Sequence, residues 1–354
     1  MERERLAELD LLRFIAAASV VLFHAAHWPA RGTLFADVAT FGFMGVPLFF
    51  TISGFVILMT AEDRSGIQFV NSRIARLYPS FWICVFLTCV AYALLGDGLP
   101  PLATIAANLT MQPRMLFDQP YLDPVYWTLV VEMKFYALVL LLIVLHQLKR
   151  VEVFLALWLG VAFAACVVTV PHWVEALTIP QWASVFCSGC YFYLIRSRGP
   201  TPARLVGLGV GVLLSMYWAL QYESVYTSST RRPTQLTVLA ILLLINAAFL
   251  LVALRKWTLP RARIWLWLGC LTYPLYLTHA RAGHLVWRAL PGGEWPRLWM
   301  ALAVVLLASA VLAVFVERRL CGVFNRFLNR SAEQLLGKIR SRRESQVKCE
   351  RRST

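Results

Sequence analysis

Long apolar runs, separated by short charged or proline- and glycine-containing segments, constrain this chain more than any other feature. Runs of about 16 to 21 apolar residues recur, close to the roughly 20 that an α-helix needs to span hydrocarbon. The 354-residue chain is 59% hydrophobic and 15% charged, whereas an ordinary globular domain is nearer to half apolar and a quarter charged. The pattern predicts an all-α, polytopic membrane helix bundle. About ten transmembrane helices are predicted, at residues 10–29, 43–60, 79–95, 126–146, 153–170, 181–195, 204–220, 236–254, 264–280 and 298–316.

The distribution of positive charge predicts how the bundle is oriented. Much of the net charge of +15 lies after Phe315, and the rest clusters in short loops. With both termini in the cytoplasm, the cytoplasmic segments carry a strong excess of Lys and Arg, as the positive-inside rule requires. This distribution predicts contact with the lipid bilayer and its anionic lipids, and not with nucleic acid. We therefore expect a transmembrane domain at residues 1–320 and a basic cytoplasmic tail at 321–354.

An arginine and a histidine share one face of the first predicted helix. Arg13 and His24 are eleven residues apart, and eleven steps of about 100° return almost to the starting direction. Their separation is therefore mainly axial, roughly 16 Å at about 1.5 Å per residue. An ionisable side chain in hydrocarbon is costly and is usually retained for a function. His24 is thus a candidate catalytic residue, with a structural histidine bonded to a carbonyl as the alternative.

A second pair of arginines precedes the third predicted helix. Arg73 and Arg76 lie in the segment that we predict to join helices two and three on the cytoplasmic side, and Pro79 then begins helix three. Residues three apart are neighbours on a helical turn, and guanidinium groups suit phosphate oxygens. The pair is a candidate phosphate-binding site. The alternative is an ordinary positive-inside cluster.

The fourth predicted helix carries a carboxylate in its apolar run. Thr128, Glu132 and Tyr136 are four residues apart and form one polar stripe. Because an intramembrane carboxylate needs a partner or a proton, we predict that Glu132 meets His24 at a similar depth and orients its imidazole as a general base. The alternative is a structural clamp between helices. We also note His279 near the external end of the ninth predicted helix, for which a structural role remains open.

Two further expectations concern the external face and metals. The segment 97–125, rich in Pro and Gly, is long enough for an ordered cap or short re-entrant elements but not for a separate domain. Cys187 and Cys190 have the spacing of a metal-binding pair, but no second pair or histidine cluster accompanies them, so we predict no metal site. The sequence also lacks a phosphate-binding glycine loop and a nucleophile elbow.

Five short motifs occur in order along the chain. They are Leu9-Asp10-x-x-Arg13 followed by His24; GVPLFFTISGF at 45–55; Arg73-x-x-Arg76-x-x-Pro79; Trp127-Thr128-Leu129-x-x-Glu132; and Leu268-Gly269-x-x-Thr272-Tyr273-x-x-Tyr276-Leu277-x-His279. With these motifs the chain resembles the membrane-bound acyltransferase-3 family, in its stand-alone form without an SGNH domain. The resemblance covers about residues 8–320. Glu317-Arg318 also resembles the closing motif of the family, although Arg319 stands where Pro is common.

The resemblance implies an integral-membrane O-acyltransferase of the bacterial inner membrane. It implies no bound cofactor, with acyl-CoA (most often acetyl-CoA) as the co-substrate on the cytoplasmic side. It also implies a hydroxyl of an envelope or exported carbohydrate or glycolipid as the acceptor. His24 would be the essential residue, assisted by Glu132, and Arg13, Arg73 and Arg76 would bind the donor.

Two readings from other classes of protein compete with the enzyme. A transporter of a carbohydrate or a lipid-linked intermediate would also bury His, Glu and Arg, but such transporters usually show paired broken helices in two repeated halves. No such duplication is visible in this sequence. A non-catalytic assembly scaffold is the third reading, and it predicts that function survives substitution of His24 and Glu132.

Overall fold

The computed structural model describes residues 5–28, 33–96, 98–226, 235–260 and 262–334, and this part of the chain is helical without any β-strand. Ten helices within these ranges have sixteen or more residues, and we number them in chain order. They are α1 Ala7–Ala25, α2 Gly45–Ala61, α3 Gly66–Leu95, α4 Trp127–Val144, α5 Val151–Val167, α6 Pro180–Arg198, α7 Pro202–Tyr226, α8 Gln235–Ala253, α9 Arg263–Thr278 and α10 Glu294–Leu312.

The all-α, multi-pass character predicted from the sequence is confirmed. Seven helical stretches are long and apolar enough to cross a membrane, and they contain α2, α3, α4, α5, α7, α8 and α10. The other three predicted spans overlap α1, α6 and α9. Of these, α1 carries acidic residues in its first turn, and α6 is buried along nearly its whole length. A helix that is enclosed by other helices does not need a uniformly apolar surface.

Two packing groups meet at α2. The central helix α6 packs against α2, α5, α7 and α8, while α1 packs against α9 and α2, and α9 packs against α3 and α10. The crossing of α2 and α6 depends on Gly54 and Gly189. A Cβ on Gly54 would lie 2.2 Å from the carbonyl oxygen of Phe186, and one on Gly189 would lie 2.1 Å from that of Thr51. Only glycine permits so close an approach of two helix backbones, and this approach fixes the position of α2.

The start of α3 was predicted wrongly. The helix begins at Gly66 and not at 79, so Arg73 and Arg76 lie inside it and not in a loop. A capping box at Ser65 and Gln68 sets this start, since each side chain accepts a hydrogen bond from the other residue's backbone N–H. Pro79 lies within the helix, where it costs one backbone hydrogen bond. The helix therefore continues through a residue that we read as its beginning.

The segment between α3 and α4 is ordered by its own polar side chains, in agreement with the expected cap. It contains short helices at Leu102–Asn108 and Pro113–Phe117. Asn108 donates to the carbonyls of Thr104 and Pro120 and accepts from the backbone N–H of Leu122. Residue 97, with which our predicted segment began, lies outside the described residues.

The chain continues as helix beyond α10. A π-helical turn spans Ala313–Leu320, and the helical stretch runs from Glu294 to Gln334. Our predicted boundary at 320 and 321 therefore falls within a continuous helix. Asn71 of α3 donates to Asn329 at 3.0 Å, so the first part of the predicted tail packs against the bundle. Residues 335–354 of that tail lie outside the described part of the chain.

Candidate active site

A cavity of about 120 Å³ lies between α1, α2, α3, α4 and α9. Four of the five residues that the sequence nominated line it. Its remaining wall is mostly aromatic and aliphatic, with Phe49 and Phe50 of α2 among the lining residues. The nominated residues in the lining are Arg13, Arg73, Arg76 and Glu132.

The cavity has two chemically different ends. Thr128 and Tyr136, eight residues apart on α4, both line it, so it extends about 12 Å along that helix. The guanidinium of Arg73 lies 5.8 Å from the centre of the Tyr136 ring. At the other end, the Thr128 and Tyr276 hydroxyls are 2.8 Å apart and form a hydrogen bond. We call the first the arginine end and the second the histidine end, because Tyr276 leads to two histidines described below.

Arg76 and Arg13 each have a carboxylate partner. Arg76 forms an ion pair with Glu317 of the π-helical turn, and Ser80 donates to the same carboxylate at 2.5 Å. The Glu317 side chain is only 2% exposed, so its charge depends on these two partners. Arg13 lies 3.3 Å from Asp10, which Arg5 also contacts at 2.6 Å. These pairs fix two guanidinium groups at the cavity and neutralise part of their charge.

Arg73 is held differently. Its Nε donates to Ser72 at 3.2 Å, and its guanidinium lies over the rings of Phe69 and Tyr136. No carboxylate forms an ion pair with it within the described ranges. Of the three arginines at the cavity, Arg73 therefore has the guanidinium that is best placed to take an anionic ligand.

Glu132 binds neighbours other than His24. Its Oε1 accepts hydrogen bonds from Ser53 at 2.5 Å and from Tyr136 at 2.6 Å. The predicted stripe of Thr128, Glu132 and Tyr136 does lie on one wall of the cavity. The carboxylate and the imidazole of His24 are not hydrogen-bonded to each other in the structure. The expected Glu132–His24 pair is thus not formed, because α4 presents Glu132 to the cavity, whereas His24 lies outside the cavity lining and contacts His279.

His24 is paired with His279. The Nδ1 atom of His24 lies 3.1 Å from Nε2 of His279, and the ring centres are 4.9 Å apart. His279 is fully buried, whereas His24 is partly exposed. Neither belongs to the cavity lining, but Tyr276 does, and its ring centre is 5.6 Å from that of His279. Tyr276 therefore connects the histidine end of the cavity to the histidine pair.

The carbonyl partners of the two rings assign their protons. A carbonyl oxygen only accepts, so a ring nitrogen facing one carries hydrogen. His24 Nδ1 lies 2.9 Å from the Val20 carbonyl, and His279 Nδ1 lies 2.8 Å from the Tyr276 carbonyl. In neutral rings both Nε2 atoms are then unprotonated. The one hydrogen on His24 Nδ1 is then shared between the Val20 carbonyl and His279 Nε2. The carbonyl contact agrees with the structural alternative for His24, and in this tautomer its Nε2 atom carries a lone pair, which a general base requires.

The sequence analysis did not predict the contacts that three residues of the site make, namely His279, Glu317 and Ser53. His279 and Glu317 both stood in motifs that carried the family resemblance, but nothing in the sequence paired His279 with His24 or Glu317 with Arg76. Ser53 also lay in a motif, and its contact with Glu132 had no local signal. Within the described ranges, no group of three or more His, Cys, Asp and Glu is arranged to hold a metal ion.

The structure is thus a multi-pass helical bundle with an arginine-lined cavity, and one lining residue, Tyr276, lies next to a pair of histidines. The chain belongs to the acyltransferase-3 family, since the family profile described as "Acyltransferase domain" matches residues 6–317. It is therefore an acyltransferase, and the transporter alternative gains no support from these comparisons.

Several characterised relatives are similar along much of their length. The acyltransferase MdmB of Streptomyces mycarofaciens is 26% identical over 385 aligned residues, which cover 95% of this chain and 94% of the relative. The exopolysaccharide production protein ExoZ of Rhizobium meliloti (strain 1021) is 28% identical, covering 76% of this chain and 83% of the relative. Nodulation protein 10 of Rhizobium leguminosarum bv. viciae is 28% identical, covering 59% of each. No solved structure matches this chain.

Proposed function

We propose that the protein transfers an acyl group, in the first instance acetyl, from acyl-CoA to a hydroxyl of an envelope or exported carbohydrate. One observation carries this proposal: the three predicted arginines line a single cavity whose opposite end leads through Tyr276 to the His24–His279 pair. The name of one relative supports a carbohydrate acceptor, since it is an exopolysaccharide production protein.

The donor binds from the arginine end in this proposal. Coenzyme A carries several phosphate charges at one end and its thioester at the far end of a long pantetheine arm. Arg73, Arg76 and Arg13 would hold the phosphates, which guanidinium groups bind well. The apolar wall of the cavity suits the arm. The positive-inside distribution supports an arginine end that faces the cytoplasm, where acyl-CoA is available. A bacterial inner membrane is the location that we propose with it.

His24 acts as the general base at the other end. The acceptor hydroxyl oxygen attacks the thioester carbonyl carbon while His24 Nε2 removes the hydroxyl proton. The carbon–sulfur bond then breaks, the acyl group remains on the acceptor oxygen, and the CoA thiolate takes the proton from the His24 imidazolium. Glu132, held by Ser53 and Tyr136, serves as a polar wall of the donor cavity between the two ends.

The test is transfer of radiolabel from acetyl-CoA. Membranes containing the wild-type protein or His24→Ala are incubated with [14C]acetyl-CoA and the envelope carbohydrate fraction of the source bacterium. His27→Ala is the matched control, because His27 also bonds a backbone carbonyl four residues earlier, at 2.7 Å, but has an exposed side chain. We expect label in carbohydrate with the wild type and the control, and a loss of about 10²-fold or more with His24→Ala.

Two results would contradict the proposal. Transfer that persists in His24→Ala at equal protein level would remove His24 from the chemistry. Label found only in lipid or protein with the wild-type enzyme would exclude a carbohydrate acceptor.

A further inference from the structure

We propose that His279 is the positioning residue of the acyl transfer: it fixes the ring of His24 and leaves Nε2 as the basic nitrogen. This inference rests on the proposed function, because it assigns a partner to the base of that reaction. His279 does not line the donor cavity, so its role differs from that of the arginines and Glu132.

The comparison between His24 and His27 shows what His279 adds. Both histidines place Nδ1 against the carbonyl four residues earlier, so the local helix alone favours the same tautomer for each. Only His24 has a second acceptor, the Nε2 atom of His279 at 3.1 Å. His279 lies 255 positions from His24 in the sequence, so this contact depends on the tertiary structure. A bond to α1 itself moves with α1, whereas a bond to the end of α9 fixes the ring relative to the rest of the site.

The second acceptor, His279 Nε2, also stabilises the positive charge that forms on His24 during the proposed reaction. When Nε2 of His24 takes a proton, the ring becomes a cation and its Nδ1–H becomes a stronger donor. The unprotonated Nε2 of His279 then accepts a charge-assisted hydrogen bond in a place where water is scarce. This hydrogen bond stabilises the imidazolium cation more than the neutral ring. It therefore lowers the activation free energy of the transfer.

His279 is itself held on several sides. Its Nδ1 lies 3.1 Å and 2.8 Å from the carbonyls of Leu275 and Tyr276, and its side chain has no exposed surface. It stands at the end of α9, immediately before the helix Arg281–Ala289. The buried carboxylate of Asp123 accepts from the backbone N–H of Arg281 at 2.8 Å and from that of Val125 at 3.1 Å. Asp123 therefore ties the turn after His279 to the segment that precedes α4.

The experiment compares two substitutions of His279. His279→Ala removes the acceptor, and His279→Gln restores one, because the Gln side-chain oxygen can reach the position of Nε2. His284→Ala is the matched control: this histidine lies on the following helix and stacks on Trp287. Initial rates of [14C]acetyl transfer are measured at varied acetyl-CoA with a fixed carbohydrate fraction, after the folding of each variant is checked by thermal unfolding in detergent.

A positioning role predicts a specific split of kinetic constants. For His279→Ala we expect the apparent kcat to fall about 10²-fold and the KM for acetyl-CoA to stay within about threefold of the wild type. The apparent kcat of His279→Gln should be at least about tenfold higher than that of His279→Ala. The kcat of His284→Ala should equal that of the wild type. Equal rates for His279→Ala and the wild type would overturn the inference, as would a Gln variant no better than the Ala variant.

A second measurement tests the pairing even if His279→Ala fails to fold. Wild-type protein with 15N-labelled histidine is compared by solid-state NMR with His24→Ala, which identifies the His24 signals by their loss. A protonated Nδ1, a bare Nε2 and a 15N–15N coupling between His24 Nδ1 and His279 Nε2 across their hydrogen bond support the inference. A His24 Nδ1 that couples to no second histidine nitrogen overturns it. Failure of wild-type protein to transfer label would contradict the proposed function alone, since the tautomer is read without substrate. An active wild type with an insensitive His279 would contradict only the present inference.

Discussion

The two ends of the cavity are built on opposite principles. The arginine end is rich in charge: Arg5 and Arg13 contact the Asp10 carboxylate, and Arg76 contacts that of Glu317. Arg73 has no ion-pair partner among the residues that the structure describes. The histidine end contains hydrogen bonds without ion pairs: the Tyr276 hydroxyl bonds that of Thr128, the Tyr276 backbone carbonyl faces His279, and His279 contacts His24. In the proposed reaction, the arginine end binds a multiply charged donor, a task that several side chains can divide between them. The histidine end moves one proton in that reaction, which requires a single atom held in place.

The largest effect is expected from breaking the ion pair at the arginine end. Arg76→Ala would leave the buried Glu317 carboxylate without its cation, and we expect a loss of about 3–5 kcal/mol in stability. Thermal unfolding in detergent measures it, and Arg73→Ala is the control because Arg73 forms no ion pair with a carboxylate in the described part of the chain. A double variant, Arg76→Met with Glu317→Leu, should recover most of the loss. An Arg76→Ala protein as stable as the control would show that Glu317 does not depend on the pair.

The next effect concerns pH and the anchor of the histidine end. Burial raises the pKa of Asp123 to about 6, against a smaller opposing influence of its two backbone N–H donors. Between about pH 4 and about pH 6 the folded protein keeps a proton that the unfolded chain has released, so the free energy of unfolding falls as pH rises through that window. Raising the pKa of Asp123 from about 4 to about 6 corresponds to about 3 kcal/mol in the free energy of unfolding.

The measurement for Asp123 is the pH dependence of thermal unfolding. We compare the wild type with Asp123→Asn at about pH 4.5 and about pH 7.5. The difference in stability between the two proteins should change in favour of Asn as pH rises, because the amide cannot ionise. A difference that stays constant with pH would show that the Asp123 carboxyl has the ordinary pKa of an exposed group.

A smaller effect is expected from substitution of Arg73, the arginine of α3 that we propose to bind the donor. Arg73→Ala should raise the KM for acetyl-CoA about 10-fold to 100-fold, since a hydrogen bond to a charged group contributes about 1.5–3 kcal/mol, and should change stability little. Arg114→Ala is the matched control, because its guanidinium also covers an aromatic ring, that of Tyr121, but away from the cavity. An unchanged KM would mean that Arg73 does not contact the donor.

The smallest effect probes the junction of the cavity and the histidine pair. Tyr276→Phe and Thr128→Val each remove one hydroxyl of a hydrogen bond worth about 1 kcal/mol. Each should slow transfer about fivefold, and the double variant should be no slower than either single variant, because the same bond is lost in all three. Additive losses would show that the two hydroxyls act separately.

The helices were predictable because their cause is local. An apolar segment of about 20 residues is long enough to span a membrane, so its length alone predicts a membrane helix. Each predicted segment overlaps one of the ten long helices. The error at α3 has the same local origin, since Pro79 was read as a helix start while the capping box at Ser65 went unnoticed. Four of the five nominated residues meet at one cavity because their spacing along each helix sets their depth.

The partners of these residues were not predictable. Glu132 was assigned to His24 on depth alone, yet its carboxylate meets Ser53, 79 positions away, and Arg76 meets Glu317, 241 positions away. Depth follows from position along one helix, but a contact also needs the rotation of both helices about their axes. That rotation depends on side-chain packing between helices, such as the glycine crossing of α2 and α6.

The sequence by itself determined that this chain forms a multi-pass helical bundle, that it resembles the acyltransferase-3 family, and which arginines, carboxylate and histidine to examine. Local hydrophobicity and the helical repeat are sufficient for that, because each acts within about twenty residues. The tertiary structure decided that His24 pairs with His279 and not with Glu132. The physical reason is that an imidazole is oriented by whichever acceptor the packed helices bring within hydrogen-bonding distance, and for His24 this depends on how α1 packs against α9.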